Sequence, residues 1–268
     1  MARYDDDLAL ALSLADAADA VTQERHRARD LVVETKPDLT PVSDADHAVE
    51  ALLRTRLAAE RPRDAVEGEE HGTTGDAVRR WILDPIDGTK NFVRGVPVWA
   101  TLIALVEGAD AVVGVVSAPA LGRRWWAARG SGAWVGGALE DTRRIRVSHV
   151  HTLDDASLSY SDHVGWPHGP QRFRDLAAAV WRTRAYGDFW SHMLVAEGAL
   201  DIAVEPDLAP WDIAALVPIV EEAGGRITGT DGSPALSGAA GALTTNGELH
   251  PPALARLAVH APQHPPAT

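Results

Sequence analysis

Trp81-Ile82-Leu83-Asp84-Pro85-Ile86-Asp87-Gly88-Thr89-Lys90-Asn91-Phe92 is the stretch from which the rest of the chain can be read. Trp81, Ile82 and Leu83 suit a buried strand. Asp84 falls at the expected end of that strand, and Pro85, which has no N–H to donate, is expected to stop ladder pairing. Asp87 follows after one apolar residue. Gly88 permits a sharp turn, and Thr89 favours the start of a helix. Two carboxylates and a helix N-terminus therefore fall close together. Carboxylates hold hard cations such as Mg²⁺, and a helix N-terminus attracts phosphate. Metal-assisted phosphate chemistry is one reading; a turn closed by an aspartate side chain is the other.

Upstream, Leu10, Leu14, Ala17 and Val21 recur at helical spacing, which predicts a helix from Asp5 to about Arg29. The Asp5-Asp6-Asp7 cluster suits its positive end. After a loop over Lys36–Pro41, a second helix is expected from Ser43 to Glu60, with Ser43 and Asp46 forming a capping box. Val66–Gly72 is short and acidic, and residues 72–78 read as a polar loop. Downstream, strands are expected at Val98–Val106, Ala111–Val116, Arg123–Ala128 and Ala133–Val135, the last two joined around Gly130-Ser131-Gly132. This makes an α+β N-terminal half over residues 1–146.

From residue 147 to 259 strands and helices alternate, as in an α/β half. Strands are expected at Leu158–Ser161, Arg184–Gly187, Ile202–Glu205, Arg226–Thr228 and Ala242–Thr245. Helices are expected at Phe173–Trp181 and Trp190–Glu197, and from Pro210 to Ala223 with Gly224-Gly225 as its stop. The proline-rich residues 260–268 read as a disordered tail. The overall class is α/β.

The 268 residues are 46% hydrophobic, enough for a core, and carry a net charge of −13. That balance argues against nucleic-acid binding, which calls for a basic face. With no cysteine there are neither disulfides nor thiolate metal sites. The acidic N-terminus does not read as a signal peptide, and no apolar run reaches membrane-spanning length. A soluble cytoplasmic protein, with no membrane partner, is the expectation.

Two further acidic sites stand beside the central stretch. Glu69 and Glu70 follow Gly68, and Asp212 follows Trp211 at a helix start. Alone, the first reads as a solvated acidic turn and the second as a first-turn acid. Together with Asp84 and Asp87 they make a carboxylate set. The motifs Gly68-Glu69-Glu70, Trp81–Phe92 and Pro210-Trp211-Asp212-Ile213-Ala214-Ala215, in this order and spacing, resemble the inositol monophosphatase family of lithium-sensitive, magnesium-dependent phosphatases. The resemblance runs from about Leu8 to Leu257. Within the family, the segments Gly88–Leu105, Arg123–Gly130 and Arg184–Phe189 look most like histidinol-phosphatases of the actinobacterial type.

The resemblance implies a layered αβαβα sandwich and a homodimer. It implies that Glu69, Asp84, Asp87, Asp212 and the Ile86 carbonyl hold two or three Mg²⁺ ions, with Li⁺ as inhibitor. Thr89 and Asp46 would orient the attacking water, and the N–H groups of Gly88 and Thr89 would cradle a small-molecule phosphomonoester. Asp46 is open between two roles, cap partner of Ser43 and orienter of Thr89. The substrate segment aligns with Arg184, Gly187 and Asp188, and Glu205 matches a substrate-binding glutamate. Where inositol enzymes usually carry a small neutral or hydroxyl residue, this chain has Asp188, which favours a cationic leaving group such as histidinol over inositol. Asp188 also reads as an N-cap of the helix that follows. Inositol-1-phosphate or fructose-1,6-bisphosphate hydrolysis is the alternative activity, and a non-catalytic regulatory protein the alternative of another class. Lys36 reads as a surface lysine. His26, His47, His71, His163 and His168 show no metal-binding spacing and read as surface residues, the last two in a loop able to cover the site.

Overall fold

The computed structural model describes residues 3–162, 164–166, 169–238 and 241–257. The N-terminal half runs α1 (Asp5–Arg25), β1 (Val33–Thr35), β2 (Pro41–Ser43), α2 (Asp44–Glu60), β3 (Ala65–Gly68), β4 (Gly72–Thr74), β5 (Arg79–Asp87), α3 (Thr89–Val93), β6 (Ala100–Glu107), β7 (Asp110–Ala118), β8 (Arg123–Ala128), β9 (Ala133–Gly136) and β10 (Arg143–Arg144). The C-terminal half runs β11 (Ser157–Ser159), α4 (Gln171–Ala177), β12 (Arg182–Arg184), α5 (Asp188–Ala196), β13 (Ile202–Glu205), α6 (Pro210–Ile213), α7 (Leu216–Glu222), β14 (Arg226–Thr228), β15 (Ala242–Thr245) and α8 (His250–Leu257).

Eight strands form one sheet in the order β10-β9-β8-β7-β6-β5-β3-β4, and five form a second in the order β12-β11-β13-β15-β14. In the first sheet only β3 and β5 run parallel. The apolar stripe of α1 and α2, with Leu14, Val49, Leu53 and Leu57, packs on one face of this sheet against Trp81, Leu83 and Ile103. Its other face meets α5 and α7 through Ile82, Leu102, Met193, Ile219 and Val220. α5 and α7 also pack on the second sheet, whose far face carries α4 and α8. The stack is therefore α, β, α, β, α, an α/β fold. Side chains alternate across each strand, so β5 feeds two cores at once: Trp81 and Leu83 to one, Ile82 to the other. Among the described residues, no helix is long and apolar enough to cross a membrane.

Several expected elements change. β5 does not stop at Pro85 but continues to Asp87. Its pairing with β6 shifts between Asp84 and Asp87, so the missing proline N–H falls where the ladder is already irregular. The Pro85 carbonyl instead accepts the Thr101 hydroxyl at 2.8 Å. Residues 72–74 are not loop but β4, antiparallel to β3. The helix expected over 210–223 is two helices, α6 and α7. Pro218 has no N–H to give to Ala214, four residues earlier, and stands within the first turn of the new helix, where none is needed. The first helix ends at Arg25 and the fourth at Ala177, earlier than periodicity suggested. α8 and the β1–β2 pair had no counterpart in the sequence reading. Residues 260–268, His163 and His168 lie outside the described residues.

Candidate metal and phosphate site

β5 delivers Asp84 and Ile86 to the edge of the core, and the bulged end of the strand turns Asp87 toward a cavity of about 500 Å³. Gly88 then sits at φ +85°, a left-handed conformation that most side chains resist, and α3 starts at Thr89. Glu69 arrives from the β3–β4 turn and Asp212 from the first turn of α6. Carboxylate oxygens of Asp84, Asp87 and Asp212 lie within 4.8 Å of one another. Asp84 is buried, and its Oδ1 has no hydrogen-bond partner.

Like charges this close, partly out of water, resist ionisation. Burial first, and then the charges of Glu69, Asp87 and Asp212, push Asp84 well above the usual carboxylate range. Burial, then Asp188 and Asp212, does the same to Asp87. Asp212 is pushed up to about 7, mainly by burial, against the pull of the Ala209 N–H that its Oδ2 accepts at 2.7 Å. A crowded set of hard oxygen donors with one orphaned oxygen fits a divalent cation such as Mg²⁺.

Asp46 pairs with Ser43 at the start of α2 and lies near Thr89 in the same conformation. Its Oδ2 accepts the Ser43 N–H at 2.8 Å and the Ser43 hydroxyl at 2.6 Å, while Oδ1 lies 3.5 Å from Thr89 Oγ1. Burial raises Asp46 to about 6. The Thr89 hydroxyl donates to the Ile86 carbonyl at 3.0 Å.

Asp188 and Glu205 line the same cavity, Asp188 close beside Gly88 and Asp87. Asp188 does not cap its own helix. Its backbone sits at φ +48°, its Oδ2 accepts the Asn91 amide at 3.0 Å, and its N–H donates to Ser161 Oγ at 2.7 Å. The next N–H of α5, that of Phe189, goes to Asp87 Oδ2 at 2.7 Å. Glu205 Oε1 accepts the Ser161 hydroxyl at 2.7 Å, and burial raises this carboxyl to about 8. Gly187 stands just before α5 and donates its N–H to Ser191 Oγ. Arg184 is apart from the cavity: it is exposed, and its guanidinium donates to the Thr183 carbonyl.

Three residues near the site escaped the sequence reading. Lys36 is not a free surface lysine: its ammonium donates to Glu69 at 2.7 Å and Glu70 at 2.6 Å. His192, on the cavity wall, is fully buried, bonds Thr244 Oγ1 through Nδ1 at 2.8 Å, and is held down to about 4 by burial. Glu50, fully buried on α2, holds the Glu70 and His71 N–H groups. The i, i+4 spacing from Asp46 was the available signal for Glu50. His26, expected at the surface, packs between Phe92 and Trp99 at 5.4 and 5.2 Å.

Residues 4–263 match the model of the inositol monophosphatase family. A histidinol-phosphatase of Streptomyces coelicolor is 57% identical over 93% of this chain and 96% of its own length. A histidinol-phosphatase of Mycobacterium tuberculosis is also 57% identical, over 94% of this chain and 98% of its own. An inositol monophosphatase from Zymomonas mobilis superposes with a TM-score of 0.84 at 33% identity, covering 96% of this chain and 99% of that one.

Proposed function

The chain belongs to the inositol monophosphatase family, and on that premise we propose that it is a Mg²⁺-dependent histidinol-phosphatase, hydrolysing histidinol phosphate to histidinol and phosphate. The observation that carries this is a surplus of carboxylate: beside the Asp84, Asp87 and Asp212 cluster, Asp188 and Glu205 line the same cavity. A substrate that carries a cationic group beside its phosphate suits that surplus, given metal on the first three carboxylates. The 57% identity to two histidinol-phosphatases supports the same substrate.

In this reading Glu69, Asp84, Asp87, Asp212 and the Ile86 carbonyl hold Mg²⁺. The bound cation offsets phosphate charge and makes water more acidic. With the Ile86 carbonyl taken by the ion, the Thr89 hydroxyl would turn its proton from that carbonyl to Asp46 Oδ1, 3.5 Å away, and its oxygen would accept a proton from the attacking water. Burial raises the Asp46 carboxyl above an exposed aspartate, which makes it a better acceptor for that proton. The N–H groups of Gly88 and Thr89 face the phosphate, Asp188 and Glu205 the ammonium or imidazole of the leaving group. A homodimer and a supporting part for Gly187 in the substrate segment complete the reading; Arg184, exposed and apart from the cavity, takes no part in it.

The test is phosphate release from histidinol phosphate and from inositol 1-phosphate, with Mg²⁺ and with EDTA. Turnover is expected only with Mg²⁺ and to favour histidinol phosphate. LiCl is expected to inhibit beyond an equal concentration of NaCl, because the family resemblance implies that Li⁺ takes a Mg²⁺ position, with too little charge there to support phosphate departure. A preference for inositol 1-phosphate would overturn the substrate assignment, and turnover in EDTA the metal.

A further inference from the structure

Glu50 is a buried carboxylate that the chemistry above does not use. It stands on α2 one turn beyond Asp46 and is completely covered. Its Oε2 accepts the Glu70 N–H at 2.7 Å; its Oε1 accepts the His71 N–H at 3.1 Å and the Arg54 Nε at 2.7 Å, with His71 Nδ1 3.3 Å away. Arg54 then reaches round the same turn, donating to the Gly72 carbonyl and to Thr74 Oγ1 at 3.0 Å. The Gly68–Gly72 turn is thus wrapped over one ion pair of α2. Gly68 shows how close the approach is: a Cβ there would overlap the Glu50 carboxylate. Beyond the β3–β5 ladder, which ends at Gly68, β5 holds this turn through the Glu69 N–H to Leu83 carbonyl bond, a long 3.3 Å.

We infer that Glu50 is a positioning residue: by holding the Glu70 and His71 amides it fixes the turn that presents the Glu69 carboxylate to the metal. The inference rests on the reading of Glu69 as a metal ligand. It explains why the Gly68-Glu69-Glu70 turn lies where it does: the glycine makes room for the clamp, and the turn's backbone N–H groups, exposed by their geometry, find a buried anion as acceptor. α2 then serves the site twice, Asp46 holding the proton acceptor and Glu50 the ligand turn.

The test uses the full chain. Mn²⁺ alone is titrated, without substrate, and the free ion is followed by electron paramagnetic resonance in wild type, Glu50→Gln and Glu69→Gln. The Gln side chain keeps one acceptor oxygen but sets an NH₂ against N–H donors, so the turn loosens. Glu50→Gln is expected to weaken Mn²⁺ binding about 10–100-fold, as loss of a group that orients a ligand does. Half-saturating Mg²⁺ in turnover should rise by the same factor, with kcat recovering at saturation. A purely structural role would lower Tm and leave metal dependence unmoved. Wild-type Mn²⁺ affinity in Glu50→Gln beside weakened binding in Glu69→Gln overturns the clamp alone. Wild-type affinity in Glu69→Gln removes Glu69 from the metal set, and the inference falls with it. If Glu50→Gln does not fold, Gly68→Ala displaces the same carboxylate from the other side and should weaken Mn²⁺ binding likewise; unchanged affinity there overturns the inference.

Discussion

At Asp188 the backbone is left-handed, φ +48°, a conformation in which only a few residue types besides glycine sit readily. Asn91 and Ser161, from two other segments, hold the residue there. Its charge, rather than its shape, is what a cationic leaving group would read. Asp188→Asn tolerates the same backbone and keeps an acceptor oxygen for Asn91. The variant is expected to lose about one to two orders of magnitude in kcat/KM on histidinol phosphate, the worth of a charged hydrogen bond of roughly 1.5–3 kcal/mol. A neutral phosphomonoester should be hydrolysed as before. Equal losses on both substrates would mean that Asp188 reads no cation. His192 offers a second test at this scale. Buried neutral and held at about 4, it takes no proton as pH falls, whereas in the unfolded chain it does so from about 6.5. The folded state therefore keeps its full advantage above 6.5 and loses it progressively down to about 4. His192→Gln removes the titration, so between pH 7.5 and 5.5 it should lose about 1.3 kcal/mol less stability than wild type. Urea unfolding of both proteins in EDTA checks this, and parallel pH profiles would count against it.

Among elements, α5 depends on a residue far from it in sequence. Asp87, at the end of β5, accepts the Phe189 N–H and so satisfies the helix start that Asp188 leaves open. Asp87 thereby ties the end of β5 to the start of α5. Asn at this position keeps an acceptor; Ala does not. Asp87→Asn and Asp87→Ala should both abolish turnover, yet Asp87→Ala should be about 1 kcal/mol less stable than Asp87→Asn in EDTA, the value of a lost cap. Equal stabilities would deny the cap. Asn is further expected to be no less stable than wild type without metal, since it relieves repulsion from Asp188 and Asp212. The same scale shows where local reading fails. The capping box of α2 and the hairpin around Gly130 were visible because their partners lie within a few residues. The split between α6 and α7 was missed, because the apolar period across 210–223 reads as continuous and outweighs the mark left by Pro218.

Over the whole molecule, the five-layer stack brings together carboxylates whose repulsion the fold alone does not relieve. Metal binding should then stabilise the folded chain by mass action. At a hundredfold excess over Kd, Mg²⁺ contributes about 2.7 kcal/mol. For a chain of this size that is roughly a 5–10 °C rise in Tm, reversed by EDTA. An unchanged Tm at a Mg²⁺ concentration that supports turnover would show that the cluster does not bind the ion tightly in the free enzyme. The sequence by itself determined the α/β class, most strands and helices, and the carboxylate set, because apolar period, turn residues and motif spacing act over a few residues and are written in order along the chain. Tertiary structure alone decided that Lys36 neutralises Glu69 and Glu70, that Glu50 clamps their turn, that Asp87 caps α5, and that Asp188 turns toward Asn91 rather than to its own helix. Those contacts join segments 20 to 102 residues apart. No local spacing encodes them: a buried charge takes whichever partner the packed layers bring within reach, and that is settled only when the layers close.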